Sequence, residues 1–152
     1  MEDLSLHILD IAENSVRAGA KKIIIKLEED QSNDKLTLSI EDDGKGMDAE
    51  TVDKVLNPYF TTKDAKQVGL GLSLLSQAAG QADGHLNVDS EKGKGTKITA
   101  VFKLSHPDTK PTGDIVATIT ALVAGNPTIQ VILDYKKGDY SYCFDSFEQC
   151  GQ

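Results

Sequence analysis

Positive charge is in short supply in this chain: 16 Lys and Arg stand against 24 Asp and Glu, for a net charge of −8 at pH 7. Binding to nucleic acid or to an anionic membrane needs a basic field, so neither is expected as a partner. Long hydrophobic runs are also missing. The most apolar window, Ile115 to Leu133, is interrupted by Asn126, Pro127 and Gln130, which excludes a membrane span. The N-terminus lacks the basic, apolar and small-residue succession of a signal peptide, and a cytoplasmic location is the expectation. Only two cysteines occur, Cys143 and Cys150, with no second Cys or His pair beside them. A zinc site is therefore not expected, and reduced thiols are. There is no internal repeat. What is present is a composition of 39% hydrophobic and 26% charged residues over 152 positions, enough for one soluble domain with a real core.

The periodicities alternate between helix and strand. Leu4, Ile8 and Ile11 form an apolar helical stripe, with Leu9, Ala12 and Val16 beside it, and Gly19 stops the helix. "KKIIIKLEE" is a strand by its β-branched content, and "KLTLSIEDD" alternates strictly, with Leu36, Leu38 and Ile40 on one face. "DAETVDKVL" is a short helix with Asp48 placed to cap it. The polar, irregular "NPYFTTKDAKQVG" follows and reads as a mobile loop. Leu70 to Ala79 is helical, and "GHLNVDSEKGKGTKITAVFKL" is two strands about a glycine-rich turn. After Leu104 the composition shifts. "SHPDTKPTG" reads as a linker, Asp114 to Ala124 as a helix, and the stretch from Thr128 to Phe147 as a hairpin about Lys137-Gly138. The reading divides the chain into a core at 1–105 and, at 106–152, an appended helix plus hairpin packed on the same domain.

Three stretches carry candidate chemistry. On the first helix Asp10, Glu13, Asn14 and Arg17 share one polar stripe. It is either a solvated face with a Glu13–Arg17 pair or a row of oxygen ligands and one cation facing a phosphate group. "EDDGKGMDA" follows an alternating strand, so it is either a tight turn or a turn that aims Asp42 into a pocket while glycines let a ligand approach the backbone. A dinucleotide reading of Gly44, Gly46 and Ala49 fails, because the residues about twenty positions on form a loop rather than a strand ending in an acid. "QVGLGLSLL" places glycines at a helix start, where backbone N–H groups suit an anion. No Lys-Ser or Lys-Thr follows, which excludes the nucleotide P-loop.

In order, these boxes are an Asn on the first helix, Asp-x-Gly-x-Gly after the second strand, "PYFTTK", "GLGLSL" and "GKGT". The series resembles the GHKL superfamily of DNA gyrase, heat-shock chaperone, histidine kinase and mismatch-repair ATPases, over about residues 4 to 104. The lid and glycine loop are most similar to sensor histidine kinases. The resemblance implies a two-layer α/β sandwich of the Bergerat type, with a mixed, mostly antiparallel sheet and helices on one face. It implies ATP and Mg²⁺ as cofactors, with Asn14 as the Mg²⁺ ligand. Asp42 would accept a hydrogen bond from the adenine amino group, with Gly44, Gly46 and Met47 shaping that pocket and Thr96 supporting Asp42. Gly69, Leu70, Gly71 and Leu72 would offer backbone N–H groups to the phosphates. Arg17, and Thr61, Thr62 and Lys63 of the lid, would complete the nucleotide site.

Two departures from the superfamily pattern shape the functional expectation. Hydrolysing members place a general-base Glu four residues before the Asn; here Asp10 holds that position and is the catalytic candidate. The helical hairpin bearing the phosphoacceptor histidine of sensor kinases has no counterpart, and His7 lies on the nucleotide helix itself. The expectation is a protein kinase module of the histidine or anti-sigma serine type, acting on a separate protein partner, with slow intrinsic hydrolysis. A nucleotide-switched binding module with little turnover is the alternative, and a weak gyrase-like or mismatch-repair-like ATPase a third. A homodimer is compatible with either.

Overall fold

Alternating apolar residues on successive strands become continuous rows once the strands are paired. The computed structural model describes residues 4–56, 70–106 and 113–147. In chain order these form α1 (Leu4–Arg17), β1 (Lys22–Asp30), β2 (Lys35–Asp42), α2 (Ala49–Leu56), α3 (Leu70–Gln81), β3 (His85–Glu91) and β4 (Gly95–Lys103). α4 (Ile115–Gly125), β5 (Gln130–Lys137) and β6 (Tyr140–Asp145) follow. The strands make one six-stranded sheet in the order β3-β4-β2-β1-β5-β6. Its pairs are antiparallel except β1 with β5. A parallel neighbour cannot be reached by a hairpin, and the crossover that delivers β5 beside β1 contains α4.

Register aligns Val88, Ile98, Ile40, Ile25, Leu133 and Phe144 in one row across the whole sheet. A second row runs through Leu86, Ala100, Leu38, Leu27, Tyr135 and Tyr142. The helices cover this face. Ile8 and Ile11 of α1, Leu72 and Leu75 of α3, and Ile119 and Leu122 of α4 are buried in one cluster with the inner faces of the strands. Each buried Leu or Ile contributes on the order of 2 kcal/mol, so this shared face holds the two layers together. The opposite face carries Lys26, Glu28, Thr37, Ser39 and Lys97, half-exposed or exposed. The architecture is thus the expected α/β sandwich with a mixed, mostly antiparallel sheet.

Local signals bound the helices within one or two residues of where they were read. Gly19 N–H bonds Val16 O at 3.0 Å and Ala20 N–H bonds Ser15 O at 3.1 Å, which closes α1. Asp48 Oδ1 accepts from Thr51 N–H at 2.8 Å at the start of α2, and Asp114 Oδ1 accepts from Ala117 N–H at 3.0 Å at the start of α4. The expected loop, with Thr61, Thr62, Lys63 and Gly69, lies outside the described residues. No described helix is long and apolar enough to cross a membrane. One expectation is corrected: Cys143 on β6 is disulfide-bonded rather than a reduced thiol, with its partner outside the described residues. Pairing depends on how the backbone turns, which spacing in the sequence does not reveal.

Gly80 sits inside α3 with open space where a Cβ would lie. Replacing it removes only the entropic weakness of glycine in a helix. Gly80→Ala is therefore expected to raise stability by about 0.5–1 kcal/mol in urea unfolding. A loss of stability would show that α3 is strained at this position.

Candidate functional site

α1 presents more to the site than its polar stripe suggests. Ser15 falls on the buried stripe with Ile8, Ile11 and Ala12, and it is buried itself. A hydroxyl on an apolar face must find a partner. Ser15 Oγ donates to Asp42 Oδ2 at 2.5 Å, across the gap from α1 to the end of β2. Gly44 N–H donates to the other carboxylate oxygen, Oδ1, at 2.9 Å. Both oxygens of Asp42 are thus held, with acceptor capacity to spare, since an ionised carboxylate offers about four lone-pair sites.

The next shell fixes the neighbouring strands. Register places Asp42 beside Thr96 and Thr96 beside Ser90. Ser90 Oγ accepts from Met47 N–H at 2.7 Å, donates to Gly95 O at 3.2 Å, and lies 2.8 Å from Thr96 Oγ1. In the Ser90–Thr96 contact either hydroxyl can be the donor. The glycine turn is tied down on both sides: Lys45 N–H bonds Ala18 O at 2.9 Å, and Gly93 N–H bonds Lys45 O at 2.6 Å. A Cβ on Gly44 would stand 3.0 Å from Ala18, so the turn packs directly on the end of α1. Asp43 points the other way and accepts from Lys21 and Lys22 N–H at 2.8 and 3.0 Å. Partial burial raises the Asp43 pKa, but these two amide bonds and the Lys21 charge outweigh it, and the net direction is down.

These elements enclose a cleft. Ile11, Asn14, Ser15 and Ala18 of α1 form one wall, and Lys45, Gly46 and Met47 of the turn another. Leu72 from the first turn of α3, with Thr96 and Ile98 of β4, closes it around Asp42. The lining is mainly apolar with one oriented carboxylate, a form suited to a flat ring that offers a hydrogen-bond donor. Of the residues expected from sequence, Asn14, Asp42, Gly46, Met47, Leu72 and Thr96 meet here, with Gly44 immediately behind. Leu70 and Gly71 begin α3 beside Leu72. Arg17 is exposed at the rim: its Nη1 donates to Asn14 Oδ1 at 2.9 Å and its Nη2 lies 3.7 Å from Glu13 Oε2. The bland ion pair and the Asn14 contact therefore coexist. Asp10 is exposed, one turn before Asn14, and does not line the cleft. His7 is buried on the inward side of α1. Sequence reasoning missed Ser15 and Ser90. Each could have been found as a lone hydroxyl at an inward position, Ser15 on the helical stripe and Ser90 two residues after Val88 on β3.

Residues 2–106 match the family of histidine kinase-, DNA gyrase B- and HSP90-like ATPases. This chain belongs to that family. Its similar relatives include the sensor histidine kinase ZraS of Escherichia coli K12, 31% identical over 110 residues, which are 72% of this chain and 23% of ZraS. The sensor histidine kinase YvrG of Bacillus subtilis is 34% identical over 94 residues, 59% of this chain and 16% of YvrG. The sensor kinase CckA of Brucella abortus is 42% identical over 75 residues, 49% of this chain and 8% of CckA. The chain spans less than a quarter of the length of these relatives. Membership in the ATPase family, with histidine kinases among the relatives, supports an ATP-binding module of the kinase type.

Proposed function

We propose that this chain is the ATP-binding catalytic module of a protein kinase that transfers the γ-phosphoryl group to a separate protein partner. The observation that carries the reading is Asp42, held by Ser15 and Gly44 in an apolar cleft that Leu72 of α3 helps to line. Its remaining lone pairs suit the amino group of adenine, a donor. Ile11, Met47 and Ile98 supply flat apolar contact for the ring. Thr96, paired with Asp42 across β2 and β4, places a hydroxyl beside the carboxylate that a water could bridge to. The first-turn amides of α3, at Leu70 to Leu72, and the helix dipole are suited to the phosphates and make a lysine unnecessary.

The donor set fits Mg²⁺ in a limited way. Among the described residues no group of three or more His, Cys, Asp or Glu could hold a metal by itself. Mg²⁺ accepts one protein oxygen plus phosphates and waters, and Asn14 Oδ1, which here accepts from Arg17, would serve if it turned to the ion. When bound, the ion would neutralise charge on the β- and γ-phosphates. Arg17 now holds that oxygen, and on release from it the guanidinium would be free to pair with a phosphate. Asp10 is proposed as the base, with poor reach: it is shorter than Glu by one methylene and sits outside the cleft lining. That position also favours the second reading, a nucleotide-switched binding module with little turnover.

Incubation with γ-labelled Mg-ATP, alone and with extract from the native cell, separates the readings. The expected result is slow hydrolysis, no label on the chain, and label on a second protein. Stoichiometric phosphate on His7, or brisk hydrolysis surviving Asp10→Asn, would overturn the kinase assignment. Binding without label anywhere would favour the switched module.

A further inference from the structure

Ser90 lies on the helix-facing side of β3, half-buried, and does not line the cleft itself. Its one oxygen nevertheless meets two of the cleft's walls. It accepts from Met47 N–H of the glycine turn at 2.7 Å, and it stands 2.8 Å from Thr96 Oγ1 and 3.2 Å from Gly95 O on β4. Register sets Asp42, Thr96 and Ser90 side by side on β2, β4 and β3, so Thr96 has the carboxylate on one flank and Ser90 on the other. The turn also approaches β3 closely: a Cβ on Gly46 would stand 2.0 Å from Glu91 O. A hydroxyl has one proton. Either Ser90 gives its proton to Gly95 O and Thr96 donates to Ser90, or Ser90 donates to Thr96 and Thr96 keeps its own proton for the cleft. In both arrangements Ser90 holds the Thr96 hydroxyl in place.

Building on the adenine site proposed above, we propose that Ser90 is a positioning residue for base selection. It holds Thr96 and the Met47 backbone in place beside Asp42, and the cleft thereby tells a 6-aminopurine from a 6-oxopurine. Asp42 accepts, so it favours a ring with a donor at the facing position. Adenine has that donor on its exocyclic 6-amino group. Hypoxanthine has an acceptor oxygen there, and its donor, N1–H, lies further round the ring. A ring free to slide can bring N1–H to Asp42; a ring confined between Met47 and Thr96 cannot. Selectivity therefore depends on how firmly these two walls are held, and Ser90 Oγ touches both. Ser90→Ala takes that partner from Met47 N–H and from the Thr96 hydroxyl in a part-buried place, where water replaces it imperfectly. Gly93 N–H still bonds Lys45 O at 2.6 Å, so the turn loosens without detaching.

Binding of ATP and of inosine triphosphate, each with Mg²⁺, to the full chain tests this in the wild type, Ser90→Ala and Ser90→Thr. In Ser90→Ala, ATP affinity is expected to fall on the order of tenfold and inosine triphosphate affinity to change less than about twofold, so their ratio falls roughly fivefold or more. A residue that supported only the fold would weaken both nucleotides alike and leave the ratio where it was. Ser90→Thr keeps the oxygen and is expected to restore most of the selectivity. Ser90→Cys, near in shape but a weak acceptor, is expected to fall between the two and serves if Ser90→Ala does not fold. An unchanged ratio in the folded variant, or a ratio lowered as much by Ser90→Thr, would overturn the role of Ser90. A wild-type chain that binds neither nucleotide would instead overturn the adenine site, and the role of Ser90 with it.

Discussion

Asp42→Asn is expected to weaken ATP binding on the order of a hundredfold, roughly 3 kcal/mol, while the protein stays folded. The substitution is close to isosteric, and the structure indicates how it is tolerated. The amide oxygen can keep the bond from Gly44 N–H, and the Ser15 hydroxyl can turn round to accept from the new NH₂ group. The ligand has no such freedom. In the proposed site the adenine amino group is a donor, and after the change it meets a second donor inside an apolar cleft, where an unmatched polar group carries its full desolvation cost. Calorimetry with Mg-ATP, alongside urea unfolding, gives both numbers. Wild-type affinity in a folded Asp42→Asn protein would remove Asp42 from the nucleotide site.

Gly95→Ala is expected to damage stability and binding together. Gly95 has φ +102, and a Cβ there would lie 2.1 Å from the carbonyl oxygen of Asp42. That oxygen belongs to the β2 backbone, which is paired with β4, so the clash can be relieved only by parting the strands that carry Asp42 and Thr96. A loss on the order of 3 kcal/mol or more is expected, with nucleotide binding lost as the two polar groups separate. Gly46→Ala is expected to behave alike: φ is +70, and its Cβ would stand 2.0 Å from Glu91 O. Gly93 provides the contrast. Its φ is +86, but nothing lies within 4 Å of a Cβ there, so Gly93→Ala carries backbone strain alone, about 1–2 kcal/mol. Urea unfolding of the three variants separates close approach from strain, and equal losses in all three would refute the contact argument.

Much of the fold was legible because its signals are local. The alternation of Leu36, Leu38 and Ile40 dictated which face of β2 is buried, and the stripe of Leu4, Ile8 and Ile11 dictated the inward side of α1. The three isoleucines of β1 were ambiguous. Only pairing with β2 and β5 put Ile23 and Ile25 in the core and left Ile24 half-exposed on the other face. The candidate site was legible only as a set of residues that could meet. The order of the glycine and Asn boxes indicated an ATPase of this family, and six of the expected residues meet in one cleft. Ser15 and Ser90 were not seen, because a serine is recognised as a positioning residue only when its partner in space is known.

By itself, then, the sequence determined the elements, the inward faces and the family, all of which depend on residue types at short and regular spacings. The tertiary structure alone decided that Ser15 meets Asp42 from 27 positions away and that Gly95 must lack a Cβ because Asp42 O occupies the space. It also decided that β5 runs parallel to β1, with β6 outermost among the described strands. Hydrogen bonds and close packing act over a few ångströms, and only folding sets which distant residues come within that range.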